Sequence, residues 1–268
     1  MTNESHWQDE REVRIDATPE QVWAAWAEPT HVANWFSDEA HGTLSPGSEL
    51  VHVFHGHGEH RYRVVSVDAP RSLVLEGEMD GLAFRQEVRI ERSGGSTVLR
   101  LVHSGFGVVD PDSEITQGID SGWTMALALL KQYVERYFGQ AKASVSLFRS
   151  EAFEYARLLE HFYTSAHGLG QWLTDGQEPI HAAGRVRLQL RPAARLSGNV
   201  LTKTAHEVSV SWEEIDGALE LKAFGAGPQA RTLGLRVTSW AADADVRLAA
   251  LRPDLDAALT RLCAALRA

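Results

Sequence analysis

The sequence carries one arrangement twice, and this duplication restricts the fold more than any other feature. Residues 11–15 read as a short strand, Thr18-Pro19-Glu20-Gln21 opens a helix, and Trp35-Phe36 closes a second, shorter one. Strand-like runs follow, then a Ser104-Gly105-Phe106 stop and a long amphipathic helix over residues 119–138. The order restarts with a strand at 144–148, a helix at 151–163 and Gly170-Gln171-Trp172-Leu173, then strands, Ser239-Trp240 and a final helix at 253–266. Thr97-Val98-Leu99-Arg100-Leu101-Val102 precedes Thr232-Leu233-Gly234-Leu235-Arg236-Val237 by 135 residues, and Trp35 precedes Trp172 by a similar 137. A period this long marks a duplicated domain and not a solenoid repeat. The expected boundaries are 1–140 and 141–268.

A chain of 268 residues gives each half enough length for its own core. Hydrophobic residues make up 44% and charged residues 23%, an ordinary globular balance. No apolar run reaches the roughly 20 residues that span a bilayer, and residues 1–11 are polar, unlike a secretory leader. The expectation is a cytoplasmic protein. The single cysteine, Cys263, excludes an intramolecular disulfide and a cysteine metal cluster.

The net charge of −10 is uneven: residues 1–140 carry 22 acidic and 11 basic side chains, residues 141–268 carry 14 and 15. An acidic chain repels phosphate backbones, so nucleic acid is not an expected partner. In the second half Arg185 and Arg187 alternate with Val186 and Leu188, the pattern of a strand's solvent face.

Thr18 suits an N-cap, Pro19 the first helical position, and Gln21 completes a capping box. Residues 38–47 read as a loop. Strands are expected at 49–54, 61–67, 73–78, 84–90 and 97–103, joined by turns short enough to require antiparallel neighbours. Phe84, Gln86, Val88 and Ile90 point one way, while Arg85, Glu87, Arg89 and Glu91 point the other, giving one covered and one wet face. Trp123, Leu127, Leu130, Val134 and Phe138 recur at helical spacing, so the long helix is expected to cover that sheet. Val208, Val210 and Trp212, alternating with Ser209, Ser211 and Glu213, repeat the logic. Leu255, Leu259, Leu262 and Leu266 supply the second closing helix.

The run from Val13 to Trp23, Pro29, Trp35-Phe36, Val67-Asp68-Ala69-Pro70-Arg71-Ser72-Leu73, Leu101-Val102-His103-Ser104-Gly105-Phe106 and Gly122-Trp123 together resemble the activator-of-Hsp90-ATPase-like (AHSA1-like) branch of the START-like, Bet v 1-like (SRPBCC) superfamily. The second half resembles it through the internal repeat. The resemblance implies an α+β protein of two tandem helix-grip folds, each a curved antiparallel sheet wrapped around a long C-terminal helix, with an apolar cavity between them. It also implies a hydrophobic small-molecule partner, such as a polyketide- or polyene-like metabolite, in biosynthesis, carriage or self-resistance. The alternative expectations are catalysis in the same cavity, as a polyketide cyclase, aromatase or hydrolase using His103 or a pocket carboxylate, and a protein-interaction module whose divergent second domain docks a partner. No stretch resembles the separate Hsp90-binding domain of the eukaryotic co-chaperones, so Hsp90 activation is not inferred.

The expected cavity wall comprises Trp35, Phe36, Phe54, Tyr62, Phe84, His103, Phe106, Trp123 and Leu127, of which His103 can hydrogen-bond a ligand or act as a general base. His52, His55, His57 and His60 are the strongest metal-like signal, but they straddle a hairpin whose alternation sends His52 and His55 to opposite faces. No metal and no cofactor is expected. Gly56-His57-Gly58, Gly168-Leu169-Gly170 and Gly225-Ala226-Gly227 lack the third glycine and the strand-to-helix context of a dinucleotide fingerprint.

Overall fold

The structure is a computed structural model that describes residues 7–55, 58–79, 81–105, 107, 114–151, 183–190, 194–204, 207–225 and 231–267. The chain divides into two compact units, Met1–Ala141 and Lys142–Ala268. Both are antiparallel sheets with a helix against one face.

Among the described residues the first unit has seven strands: β1 (Gln8–Ile15), β2 (Glu39–Gly42), β3 (Glu49–Phe54), β4 (Gly58–Asp68), β5 (Ser72–Met79), β6 (Leu82–Ser93) and β7 (Ser96–Gly105). They lie in the order β1-β7-β6-β5-β4-β3-β2, so the last strand pairs with the first and the rest form a meander. Between β1 and β2 run helices α1 (Pro19–Ala27) and α2 (Pro29–Val32). The capping box forms: Gln21 N–H donates to Thr18 Oγ1 at 3.3 Å, and Thr18 N–H donates to Gln21 Oε1 at 3.1 Å. Helix α1 turns Val22, Trp23 and Trp26 inward. Helix α3 (Glu114–Gln132) ends in a π-helical turn, Tyr133–Tyr137. It begins five residues before the expected start, and Trp123, Leu127, Leu130 and Val134 are buried as the spacing requires.

Strand β2 lies within the segment read as a loop. Glu39-Ala40-His41-Gly42 has no apolar alternation, and it becomes a strand by pairing with β3, with His41 opposite Val51. Gly77 on β5 faces the core, where a Cβ would lie 2.6 Å from the Phe84 ring and 2.9 Å from the Arg61 carbonyl oxygen. The absent side chain makes room for Phe84, a close approach of the kind glycine permits in strands.

The second unit contains β8 (Ala143–Glu151), β9 (Gly184–Leu190), β10 (Ala194–Lys203), β11 (Glu207–Trp212), β12 (Gly217–Gly225), β13 (Arg231–Ser239) and helix α4 (Ala244–Arg267). Its strand order, β8-β13-β12-β11-β10-β9, again closes the last strand on the first. The repeated Thr-led segments occupy equivalent strands: Thr97 in β7 and Thr232 in β13, each beside its unit's opening strand. The expected helix at 151–163 and Trp172 lie outside the described residues.

Two expectations for this unit change. The closing helix starts at Ala244, and Pro253 sits inside it. Ala244 and Leu248 extend the buried stripe of Leu255, Leu259 and Leu262 back through the proline, so packing outweighs the proline's local preference to begin a helix. Strand β11 is buried on both faces, not one. Ser209 and Ser211 are satisfied there: Ser209 Oγ lies 2.7 Å from Thr202 Oγ1, and the Asn199 N–H donates to Ser211 Oγ at 2.8 Å. Leu248, Leu255 and Leu259 of α4 belong to one buried cluster with Val208, Val210, Leu219, Leu221 and Leu235 of the sheet. No helix among the described residues is long and apolar enough to cross a membrane.

Candidate functional site

The first unit holds a small, partly open pocket between α1, α2, the inner face of β3–β6 and α3. Strand alternation supplies Leu50 and His52 from β3, Tyr62 from β4, Leu73 and Leu75 from β5, and Gln86 from β6. The helical side supplies Trp26, Val32, Trp35, Phe36 and Trp123.

The aromatic side chains form a stack. Trp26 and Trp123 lie 5.8 Å apart between ring centroids and 27° from parallel, and Phe36 continues the stack on Trp123 at 6.1 Å and 7°. Trp35 borders both Trp26 (6.0 Å) and Phe36 (5.1 Å). The Trp35 Nε1–H donates to the Ala25 carbonyl oxygen at 2.7 Å, fixing the segment after α2 against the end of α1. Phe36 is only half-buried, and Phe54 meets it edge-on at 5.3 Å.

The polar wall is His52, Tyr62 and Gln86. His52 is 9% exposed, its ring is 4.9 Å from Tyr62, and its Nδ1 has no hydrogen-bond partner among the described residues. Burial, helped by the charge of His60 across the strand pair, holds its pKa down to about 4, so the ring is neutral at pH 7. Tyr62 shares a side-chain hydrogen bond with Gln86, and burial pushes its phenol well above the usual range. Among the described residues no lysine or arginine lines the pocket.

Of the expected wall residues, Trp35, Phe36, Tyr62 and Trp123 line the pocket. Phe54 packs edge-on against Phe36 and Leu127 is buried on α3, but neither is among the lining residues. Phe84 lies behind Tyr62 at 5.8 Å. Phe106 lies outside the described residues. His103 sits behind Trp123, whose Nε1–H donates to His103 Nδ1 at 2.7 Å. That bond occupies the Nδ1 lone pair and places the ring proton of the neutral tautomer on Nε2, and burial lowers the pKa to about 4. Both features oppose a general-base role: His103 orients the tryptophan.

Trp26, His52 and Gln86 also line the pocket, with the aliphatic Val32, Leu50, Leu73 and Leu75, and all seven are absent from the expected wall. The sequence does carry their signal, since Gln86 shares the covered face of β6 and His52 the Leu50 face of β3. The remaining histidines disperse. His55 and His41 are exposed, at 3.1 Å and 3.2 Å from the Glu39 carboxylate, and their hydrogen bonds hold Glu39 below the usual carboxylate range. His57 lies outside the described residues.

The free space is much smaller than the apolar ligand cavity expected. It is about 20 Å³, room for about one water. The aromatic side chains expected to line the space fill it by stacking on one another.

Residues 16–135 match the family model of activator of Hsp90 ATPase homolog 1-like proteins. No curated protein matches the chain. Solved structures similar to it include the di-domain ARO/CYC BexL from the BE-7585A biosynthetic pathway, at 15% identity over 97% of this chain and 96% of that one, TM-score 0.45. DynU16, a protein of the dynemicin biosynthetic locus, is 18% identical over 97% of each chain, TM-score 0.45. CalU16 from Micromonospora echinospora is 22% identical over 49% of this chain and 86% of that one, TM-score 0.40.

Proposed function

We propose, for a chain whose first unit belongs to the activator of Hsp90 ATPase homolog 1-like family, that this unit binds a planar, hydrophobic small molecule of polyketide type. The role fits biosynthesis, carriage or self-resistance. The observation that carries the reading is Phe36: half-buried, stacked nearly parallel on Trp123, and facing the polar wall. A ring entering the pocket takes the place of Phe36 on Trp123, so the stacking given up on opening is regained on binding. A planar ring covers that face as Phe36 does, whereas a polyene, one carbon chain wide, covers only a strip of it. Burying about 200 Å² of apolar ligand surface contributes about 5 kcal/mol before ordering costs, and each additional ring adds to this. Micromolar affinity follows for two or three fused rings, about 8 kcal/mol.

The test is a titration of the full chain with 1,8-dihydroxyanthraquinone, read by tryptophan fluorescence. Saturable quenching is expected. Phe36→Ala is expected to bind several-fold more tightly, because no side chain has to leave the stack. Linear, unsaturable quenching in both proteins would rule the reading out.

A further inference from the structure

The pocket is apolar on the helical side but not on the sheet side, and the polar groups there are unequal. Tyr62 and Gln86 hydrogen-bond each other. His52 does not share in that bond: its Nδ1 is buried without a hydrogen-bond partner among the described residues, on a ring more than nine-tenths buried that forms part of the pocket wall. A buried polar atom left unmatched weakens the state that holds it, so a ligand that satisfies it gains affinity that an apolar ligand of equal size does not.

The sign of the ligand follows from the charges present. The imidazole is neutral at pH 7, and no lysine or arginine lines the pocket among the described residues. A carboxylate placed beside His52 would lose its hydration without a counter-charge. A neutral oxygen meets no such penalty, because either tautomer of the imidazole has a role for it: Nδ1 accepts from a phenol or Nδ1–H donates to a ketone. We propose that the sheet side of this pocket selects ligands bearing a neutral ring oxygen, a phenolic hydroxyl or aryl ketone, through His52, and discriminates against carboxylates. This rests on the ligand-binding reading above and specifies the chemical class of ligand within it.

The experiment compares 2-naphthol, naphthalene and 2-naphthoate, each titrated at pH 7.5 against the wild-type chain, His52→Phe and His52→Gln. Circular dichroism and urea unfolding verify that each variant is folded. The wild type is expected to bind 2-naphthol at least tenfold more tightly than either other probe. His52→Gln is expected to keep most of that preference, since its amide both donates and accepts. His52→Phe is expected to bring 2-naphthol within about twofold of naphthalene while naphthalene still binds. Equal binding of the three probes by the wild type, or a preference unchanged in His52→Phe, overturns the His52 assignment and leaves the ligand-binding reading standing. Failure of all three probes to bind to any of the proteins overturns both.

Discussion

Replacing Trp123 with alanine is expected to destabilise the first unit by about 3–5 kcal/mol, the range for deleting a buried aromatic side chain. The ring is 9% exposed and is shared by two structures at once. It is the middle member of the Trp26–Trp123–Phe36 stack, and its indole N–H is the donor to His103 Nδ1. Trp123→Phe separates these roles. It keeps an aromatic face for the stack, removes the donor, and is expected to cost about 1–3 kcal/mol, the cost of leaving a buried acceptor unmatched. Urea unfolding monitored by tryptophan fluorescence reads both values, with Trp212 and Trp240 reporting the second unit. A cost below about 1 kcal/mol for the alanine variant would mean that the stack does not hold this side of the core together.

The first unit is also expected to weaken in acid through its two inward-facing histidines. His52 and His103 are both lowered from 6.5 to about 4, chiefly by burial. Between those values the unfolded chain binds more protons than the folded one, so stability rises with pH. The contribution is complete above about pH 6.5 and is lost as pH falls toward 4. At 1.36 kcal/mol per pKa unit, each histidine accounts for about 3 kcal/mol over that window. Glu207 in the second unit acts in the opposite direction, because burial raises its pKa and favours the folded state at low pH. The comparison that isolates the first effect is wild type against His52→Phe. The variant is expected to show a shallower loss of urea midpoint between pH 7.5 and 4.5, by about the share of one histidine. Parallel curves would contradict the assignment of that share to His52.

The sheets and the repeat are readable in the sequence because they depend on periodicity. Phe84, Gln86, Val88 and Ile90 alternate with charged neighbours, and all four are buried. The closing helix of the first unit follows from Trp123, Leu127, Leu130 and Val134 in the same way. Elements set by their partners are not readable. Strand β2 exists because β3 lies beside it, and α4 runs through Pro253 because Ala244 and Leu248 have a core to cover. The buried serines of β11 have the polarity of a solvent face, and their burial is made tolerable by Thr202 and Asn199.

The candidate site divides along the same line. That Trp35, Phe36, Tyr62 and Trp123 converge follows from alternation and helical spacing. Whether such rings line a space or fill it depends on packing at the scale of one methyl group, and no spacing rule encodes that. His52 illustrates a second limit. Its neighbours in sequence, His55, His57 and His60, draw attention to metal chemistry. Its physical character comes instead from lying beside Tyr62 on an inward face, where it is neutral and short of a partner.

A ring that enters the first unit is expected to replace Phe36 on Trp123. Intermolecular nuclear Overhauser effects between 1,8-dihydroxyanthraquinone and the isotope-labelled full chain read this exchange. The predicted result is a set of cross-peaks from the ligand's ring protons to the Trp123 and Trp26 indoles and to the His52 imidazole, while the Phe36–Trp123 cross-peak disappears on binding. Ligand cross-peaks confined to exposed side chains, with Phe36 still stacked on Trp123 at saturation, would contradict it.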